Sequence, residues 1–173
     1  MPKEAPSALE KATNLLTAKS RSSAELRRRL AQSGYEAAEI DSALEKLTRA
    51  GFLDDEQFAR QFARSRLASG KRSTRRVRDE LRTKGLGADL VAGAMDDVVA
   101  DEGISDADAA LSLARKKAPS LRALDRQTAR RRLYGLLARR GFSPDVIARA
   151  VQDALGTGRA DDETTDSGHD QSE

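Results

Sequence analysis

Two short stretches carry the residue types that could do chemistry. In GFLDDEQFARQFARSR, residues 51–66, Asp54, Asp55 and Glu56 stand side by side, as a metal site or an acid/base pair would require. Neither use is supported, because no His, Cys or further convergent carboxylate accompanies them. In SGKRST, residues 69–74, Gly70-Lys71 looks like the end of a phosphate loop, yet Ser65 stands where GxxxxGK[ST] needs its first glycine and Arg72 replaces the Ser/Thr. The chain has no Cys and no Trp, and its single histidine, His169, lies in a polar tail, so disulfides, thiolate metal sites and His-activated nucleophiles are excluded or unsupported. The expectation is a protein that is not an enzyme, with no catalytic residue, cofactor, metal or small-molecule substrate.

The remaining chemistry is charge. Residues 60–84 hold ten basic side chains (Arg60, Arg64, Arg66, Lys71, Arg72, Arg75, Arg76, Arg78, Arg82, Lys84) against Asp79 and Glu80. Residues 115–140 hold another ten (Arg115, Lys116, Lys117, Arg122, Arg126, Arg130, Arg131, Arg132, Arg139, Arg140) against Asp125 alone. The formal charge of +3 conceals a division: residues 156–173 hold one Arg and six acids, so residues 1–155 carry +8. Such density points to a polyanion or an acidic protein surface as partner, against the alternative of a merely solvated face.

The elements that position these charges are helices. Pro occurs only at 2, 6, 119 and 144, strand-like alternation is missing, and Ala, Leu, Arg, Glu and Lys dominate. Aligned on Gly34, Gly85 and Gly141, three segments repeat: LRRRLAQSGYEAAEIDSALEKL (26–47), VRDELRTKGLGADLVAGAMDDV (77–98) and LYGLLARRGFSPDVIARAVQDA (133–154). Each has an apolar residue four before the glycine and another directly after it, the signature of a left-handed glycine ending a helix. Each continues into an i, i+3, i+4, i+7 apolar stripe. Gly51 with Phe52 repeats the stop signal. Asp54 is then expected to cap the next helix, with Asp55 and Glu56 in its first turn, where the helix dipole favours acids. Leu53 and Phe58 stand where a hydrophobic staple would form. Phe58 and Phe62 should face the core, Arg60 and Arg64 should point away, and Arg66, returning toward the apolar side, should snorkel or pair with an acid at the unit interface rather than reach a partner.

The expected fold is all-α: three tandem three-helix repeats forming an elongated, curved right-handed array. The units are a flexible N-terminus at 1–7, repeats at 8–52, 53–100 and 104–155, and an acidic tail at 156–173 that is expected to be disordered and solvated rather than a self-inhibitory DNA mimic. With no apolar run near the length of a membrane span, the chain is expected to be soluble and cytoplasmic. The third helices, AAEIDSALEKL and ADLVAGAMDDVV, are acidic or neutral and unsuited to major-groove reading, whereas the cations cluster on second helices and the loops before them. That distribution favours contact with phosphate or with a protein–nucleic-acid assembly, giving affinity without sequence readout.

RSSAELRRRLAQSGYEAAEIDSALEKLTRAGFLDDEQFARQF (21–62), GKRSTRRVRDELRTKG (70–85) and LYGLLARRGFSPDVIARAV (133–151) together resemble the bacterial RecX regulatory proteins. The most specific part is Gly51-Phe52-Leu53-Asp54-Asp55 followed by Phe58-Ala59, with Arg21-Ser22 and Glu25-Leu26 upstream. The resemblance implies three three-helix repeats and a modulator of the RecA recombinase. Such a protein binds the RecA filament on single-stranded DNA, lies in its groove, and inhibits ATP hydrolysis, strand exchange and coprotease activity in DNA repair and the SOS response. Candidate contacts with RecA or the DNA backbone are Arg60, Arg64, Lys71, Arg72, Arg75, Arg76, Arg82, Lys84, Arg130, Arg131, Arg132, Arg139 and Arg140. Gly34, Gly51, Asp54, Asp55, Phe58, Phe62, Gly85 and Gly141 are expected to be structural. The alternative is a sequence-nonspecific DNA-binding helical repeat protein without a RecA role.

Overall fold

The computed structural model describes residues 6–156; the expectations for the first five residues and for the acidic tail from 157 onward lie outside the described residues. The described chain is helical, with no strand. Unit one comprises α1 (Ala8–Ala18), α2 (Ser23–Gln32) and α3 (Ala37–Arg49). Unit two comprises α4 (Asp55–Leu67), α5 (Thr74–Thr83) and α6 (Ala88–Asp101), and unit three comprises α7 (Asp106–Lys117), α8 (Arg126–Arg139) and α9 (Pro144–Leu155). A short 3-10 turn, Ala118–Leu121, leads out of α7.

The helix ends follow from local chemistry. Ser7 and Ser22 form complete capping boxes with Glu10 and Glu25, satisfying orphan N–H groups at both starts. Asp54 Oδ1 accepts from the Glu56 and Gln57 N–H groups, as its spacing implied. Gly34, Gly85 and Gly141 adopt φ of 89°, 84° and 89°. Behind them, the Tyr35, Leu86 and Phe142 N–H groups reach back to the Leu30, Leu81 and Leu137 carbonyls, completing the expected stop. The stop at Gly51 differs in one respect. Phe52 donates its N–H to the Leu47 carbonyl, but its ring is 73% exposed. Leu53, whose N–H reaches the same carbonyl, is the residue that turns into the core.

Each unit closes around its own core. In unit one Leu26, Leu30, Ile40, Leu44 and Leu47 meet Ala12; in unit two Val77, Leu81, Val91, Met95 and Val98 meet Ala59 and Ala63. In unit three Leu133, Leu137, Ile147 and Val151 meet Ala110 and Ala114. Leu53 belongs to the first core and Phe58 to the second. Instead of stapling one helix start, the pair therefore anchors the junction in two neighbouring cores. Helix packing is concentrated within units, so the units meet through narrow joints.

Those joints repeat. Ser23, the first residue of α2, donates its backbone N–H to Asp55 Oδ1 at 2.8 Å and its hydroxyl to Asp55 Oδ2. Thr74, the first residue of α5, does the same to Asp106, at 2.9 and 3.1 Å. In both cases an N–H that the helix itself leaves unpaired is satisfied by a carboxylate from the next unit. Beside each clamp, the N-terminus of one second helix abuts the C-terminus of the next. The Ser22 hydroxyl donates to the Lys84 carbonyl at 2.7 Å, and the Ser73 N–H donates to the Arg140 carbonyl at 3.1 Å. Helices α8, α5 and α2 thus run head to tail, positive ends against negative ends.

Candidate functional site

The second helices and the loops before them present most of the described basic side chains, and the structure sorts them by whether a carboxylate already holds them. In unit two most are held. Arg60, on the outer side of α4, meets Asp97 at 2.9 Å and Glu56 at 2.7 Å; the hydrogen bond to Asp97 and the charge of Glu56 raise its pKa further above the ordinary value. Arg64 reaches Asp101 and Glu102 at 3.2 and 3.3 Å, and Arg78 meets Asp96 at 2.9 Å. Both Arg60 and Arg64 face outward as their spacing implied, but they lie across acids of α6.

One carboxylate organises three more. Glu80, only 20% exposed, has Arg72, Arg66 and Arg76 at 3.2, 3.5 and 3.6 Å. The Arg66 guanidinium also sits 4.8 Å from the Phe62 ring centre; it pairs with an acid as expected, but with Glu80 inside unit two rather than at the unit interface. Lys84 crosses the first joint to Glu25 at 2.9 Å and stands 5.2 Å from the Phe62 ring and 5.7 Å from the Phe58 ring. The two rings stack with centroids 6.0 Å apart. Burial alone would raise the Glu25 pKa, but the hydrogen bond and charge of Lys84, with the Ser22 N–H and Arg21, hold it below the ordinary carboxylate value. Lys84 is thereby part of the joint. Of the unit-two candidates, Lys71, Arg75 and Arg82 are exposed with no carboxylate partner among the described residues.

Unit three is the opposite case. Between residues 104 and 155 it holds eleven basic side chains and five acids, and no ion pair of those eleven with a described carboxylate forms. Two of the five acids are engaged elsewhere: Asp106 clamps Thr74, and Asp125 caps α8, where the Thr128 N–H holds its carboxyl below the ordinary value. Arg130, Arg131, Arg132 and Arg139 are exposed along α8. Arg140 is half-buried, with its carbonyl tied into the second joint. The structure thus gathers seven sequence candidates, Lys71, Arg75, Arg82, Arg130, Arg131, Arg132 and Arg139, as exposed cations, and places Arg60, Arg64, Arg72, Arg76 and Lys84 in contacts within the protein.

Sequence reading missed the clamps and one groove. Ser23/Thr74 and Asp55/Asp106 each recur 51 residues apart, the same interval as Gly34 and Gly85, and that shared period was the available signal. The groove, about 520 Å³, lies at the outer end of unit three between the 3-10 turn, the start of α8 and the end of α9, with Arg115, Arg122 and Arg126 on its walls. Among the described residues no cluster of His, Cys, Asp and Glu is arranged to hold a metal, and no helix is long and apolar enough to cross a membrane.

Comparison with known proteins follows the same three-unit division. Residues 8–47, 54–95 and 105–151 match the models of the first, second and third RecX three-helix domains. The regulatory protein RecX of Mycobacterium avium is 37% identical over 146 residues, spanning 84% of this chain and 83% of that protein. The chain belongs to the RecX family. The RecX of Amycolatopsis mediterranei is 34% identical over 142 residues, 82% of this chain and 79% of its own length. In fold, the crystal structure of RecX from Lactobacillus salivarius superposes with a TM-score of 0.70 at 19% identity, covering 85% of this chain and 94% of that one. A second crystal structure of a regulatory protein RecX gives 0.71 at 20% identity, covering 84% and 71%. The family name records a regulatory role, and the three-helix units are the RecX fold.

Proposed function

We propose that this chain is a regulator that binds the RecA filament assembled on single-stranded DNA and inhibits its ATP hydrolysis, strand exchange and coprotease activity by occupancy, in the cytoplasm, as part of recombinational repair and SOS control. The observation that carries the reading is the basic surface of unit three, paired with no described carboxylate and continued by Lys71, Arg75 and Arg82 of unit two. Cations already neutralised by a neighbouring carboxylate have little left to offer a polyanion, whereas exposed unpaired arginines release counterions when they meet phosphate or carboxylate. The three units, linked by carboxylate clamps, hold these cations on successive second helices, a spacing suited to a repeating partner. The affinity is electrostatic and independent of base sequence, since α3 and α6, the third helices of units one and two, are acidic or neutral and the cations lie on second helices and the loops before them.

The test is to titrate the full chain into active cognate RecA on single-stranded DNA and follow ATP hydrolysis. Inhibition that saturates and weakens with added salt supports the reading; unchanged hydrolysis at saturating protein ends it. If unrelated single-strand-dependent enzymes are inhibited equally, the chain acts as a sequence-nonspecific DNA binder instead.

A further inference from the structure

One position of the repeat changes its chemistry in unit three. Seven residues before the stop glycine, units one and two place Arg27 and Arg78, and each is held by an acid of its own third helix, Asp41 on α3 and Asp96 on α6. Unit three places Tyr134 there, and α9 offers Ala148 and Gln152 where the two acids would align. Tyr134 is 42% exposed, and apart from Phe52 it is the only large hydrophobic side chain among the described residues left open to solvent. Its neighbours on α8 are cations. Arg130 and Arg131 stand four and three residues before it, about one turn away. Arg139 lies further along the helix and folds back toward it: a Cβ added to Gly135, the residue after Tyr134, would lie 3.3 Å from the Arg139 Nη1. All three arginines are exposed, and no described carboxylate pairs with them.

A track for phosphate alone gains nothing from this exchange, since arginine at the same register would add a charge. What tyrosine adds is a flat π-face. We propose that Tyr134 stacks on one unpaired base of a single strand while Arg130, Arg131 and Arg139 hold the phosphates beside it. A nucleotide presents a ring and an anion together, and α8 presents a ring and cations within about a turn of each other. A protein carboxylate would engage the cations and leave the ring without a partner. Stacking tolerates any sequence, because every base has a π-face, so the site keeps the sequence independence of the cations around it. It discriminates instead between strand forms: bases in a duplex are stacked on their neighbours and costly to extrude, whereas in a single strand one can turn outward. The inference rests on the proposed reading in taking single-stranded DNA as the partner, and adds that α8 touches the strand itself.

The chain has no Trp and two tyrosines, Tyr35 and Tyr134, so in the full chain carrying Tyr35→Phe the intrinsic emission reports Tyr134 alone. Oligothymidylate, without RecA, should quench that emission saturably. An abasic deoxyribose-phosphate oligomer of the same length should bind through its charges without quenching. In the natural chain the base-bearing oligomer should bind at least about fivefold more tightly than the abasic one. Tyr134→Ala and Tyr134→Arg should both abolish that preference, the second while holding the abasic oligomer more tightly, and Tyr134→Phe should retain it. Thermal unfolding of each variant is the folding control. Equal quenching by both oligomers, a preference that survives Tyr134→Ala, or quenching by polyglutamate but not by DNA overturns the inference. Inhibition of RecA hydrolysis without quenching by oligothymidylate also overturns it and leaves the proposed function standing. Quenching without inhibition supports the stacking role and removes the RecA reading.

Discussion

Asp55, at the start of unit two, accepts both the backbone N–H and the hydroxyl of Ser23 in unit one, and Asp106 repeats the arrangement with Thr74 one unit later. A carboxylate expected only as a first-turn acid is thereby an inter-unit clamp. Because each bond involves a charged acceptor, Asp55→Ala should cost about 1.5–3 kcal/mol. The exposed Asp41, which pairs with Arg27, should cost under about 1 kcal/mol on the same change. Urea unfolding of the two variants checks the ordering, which a merely solvated Asp55 would reverse or erase.

Gly34 and Gly85 have nearly the same positive φ, so replacement by Ala strains both turns alike. Their surroundings differ. A Cβ on Gly34 meets nothing, whereas one on Gly85 overlaps the Ala24 Cβ across the first joint. On Gly141 it would lie 2.7 Å from Ser73 Oγ and 2.8 Å from Arg76 Cβ across the second. Gly85→Ala and Gly141→Ala should therefore lose about 1–3 kcal/mol beyond the loss in Gly34→Ala. Hydrogen exchange at the first turns of α2 and α5 should rise in the joint variants only.

Acid should loosen the first joint. Glu25 is held below its ordinary pKa in the folded chain, so its contribution is fully present above the unfolded value and is lost as pH falls through the lowered folded value. The stability advantage of the natural chain over Glu25→Gln should accordingly shrink on acidification through and below the ordinary carboxylate range. A carboxyl NMR titration of Glu25 gives the folded midpoint directly. A stability difference that stays constant across that range would remove Lys84–Glu25 from the account of the joint.

Much of the fold was legible because its determinants are local. Gly34, Gly85 and Gly141, their flanking apolar residues, the stripes after them and the Ser22–Glu25 box each act within one or two turns of helix, and each forms as read. What escaped the sequence depends on distance in the chain. Asp55 reads as a first-turn acid until Ser23 is seen beside it, and Glu80 gives no sign that it collects Arg66, Arg72 and Arg76. Basic residues could be counted from sequence, but pairing decides their use: Arg60 and Arg131 look alike in the chain, and only Arg60 lies against acids of α6. The exposed ring of Phe52 likewise could not be told from the buried ring of Phe142, since both follow a stop glycine.

The central claim is that unpaired cations, and chiefly those of α8, form the partner surface. The direct measurement is the affinity of the full chain for the RecA filament on single-stranded DNA as a function of salt, for Arg130→Ala/Arg131→Ala/Arg132→Ala and for Arg60→Ala/Arg64→Ala. The account predicts at least tenfold weaker binding and a shallower salt dependence for the α8 variant, because fewer counterions are released, and little change for the Arg60/Arg64 variant. Equal losses in the two variants, or a loss confined to Arg60 and Arg64, would contradict it.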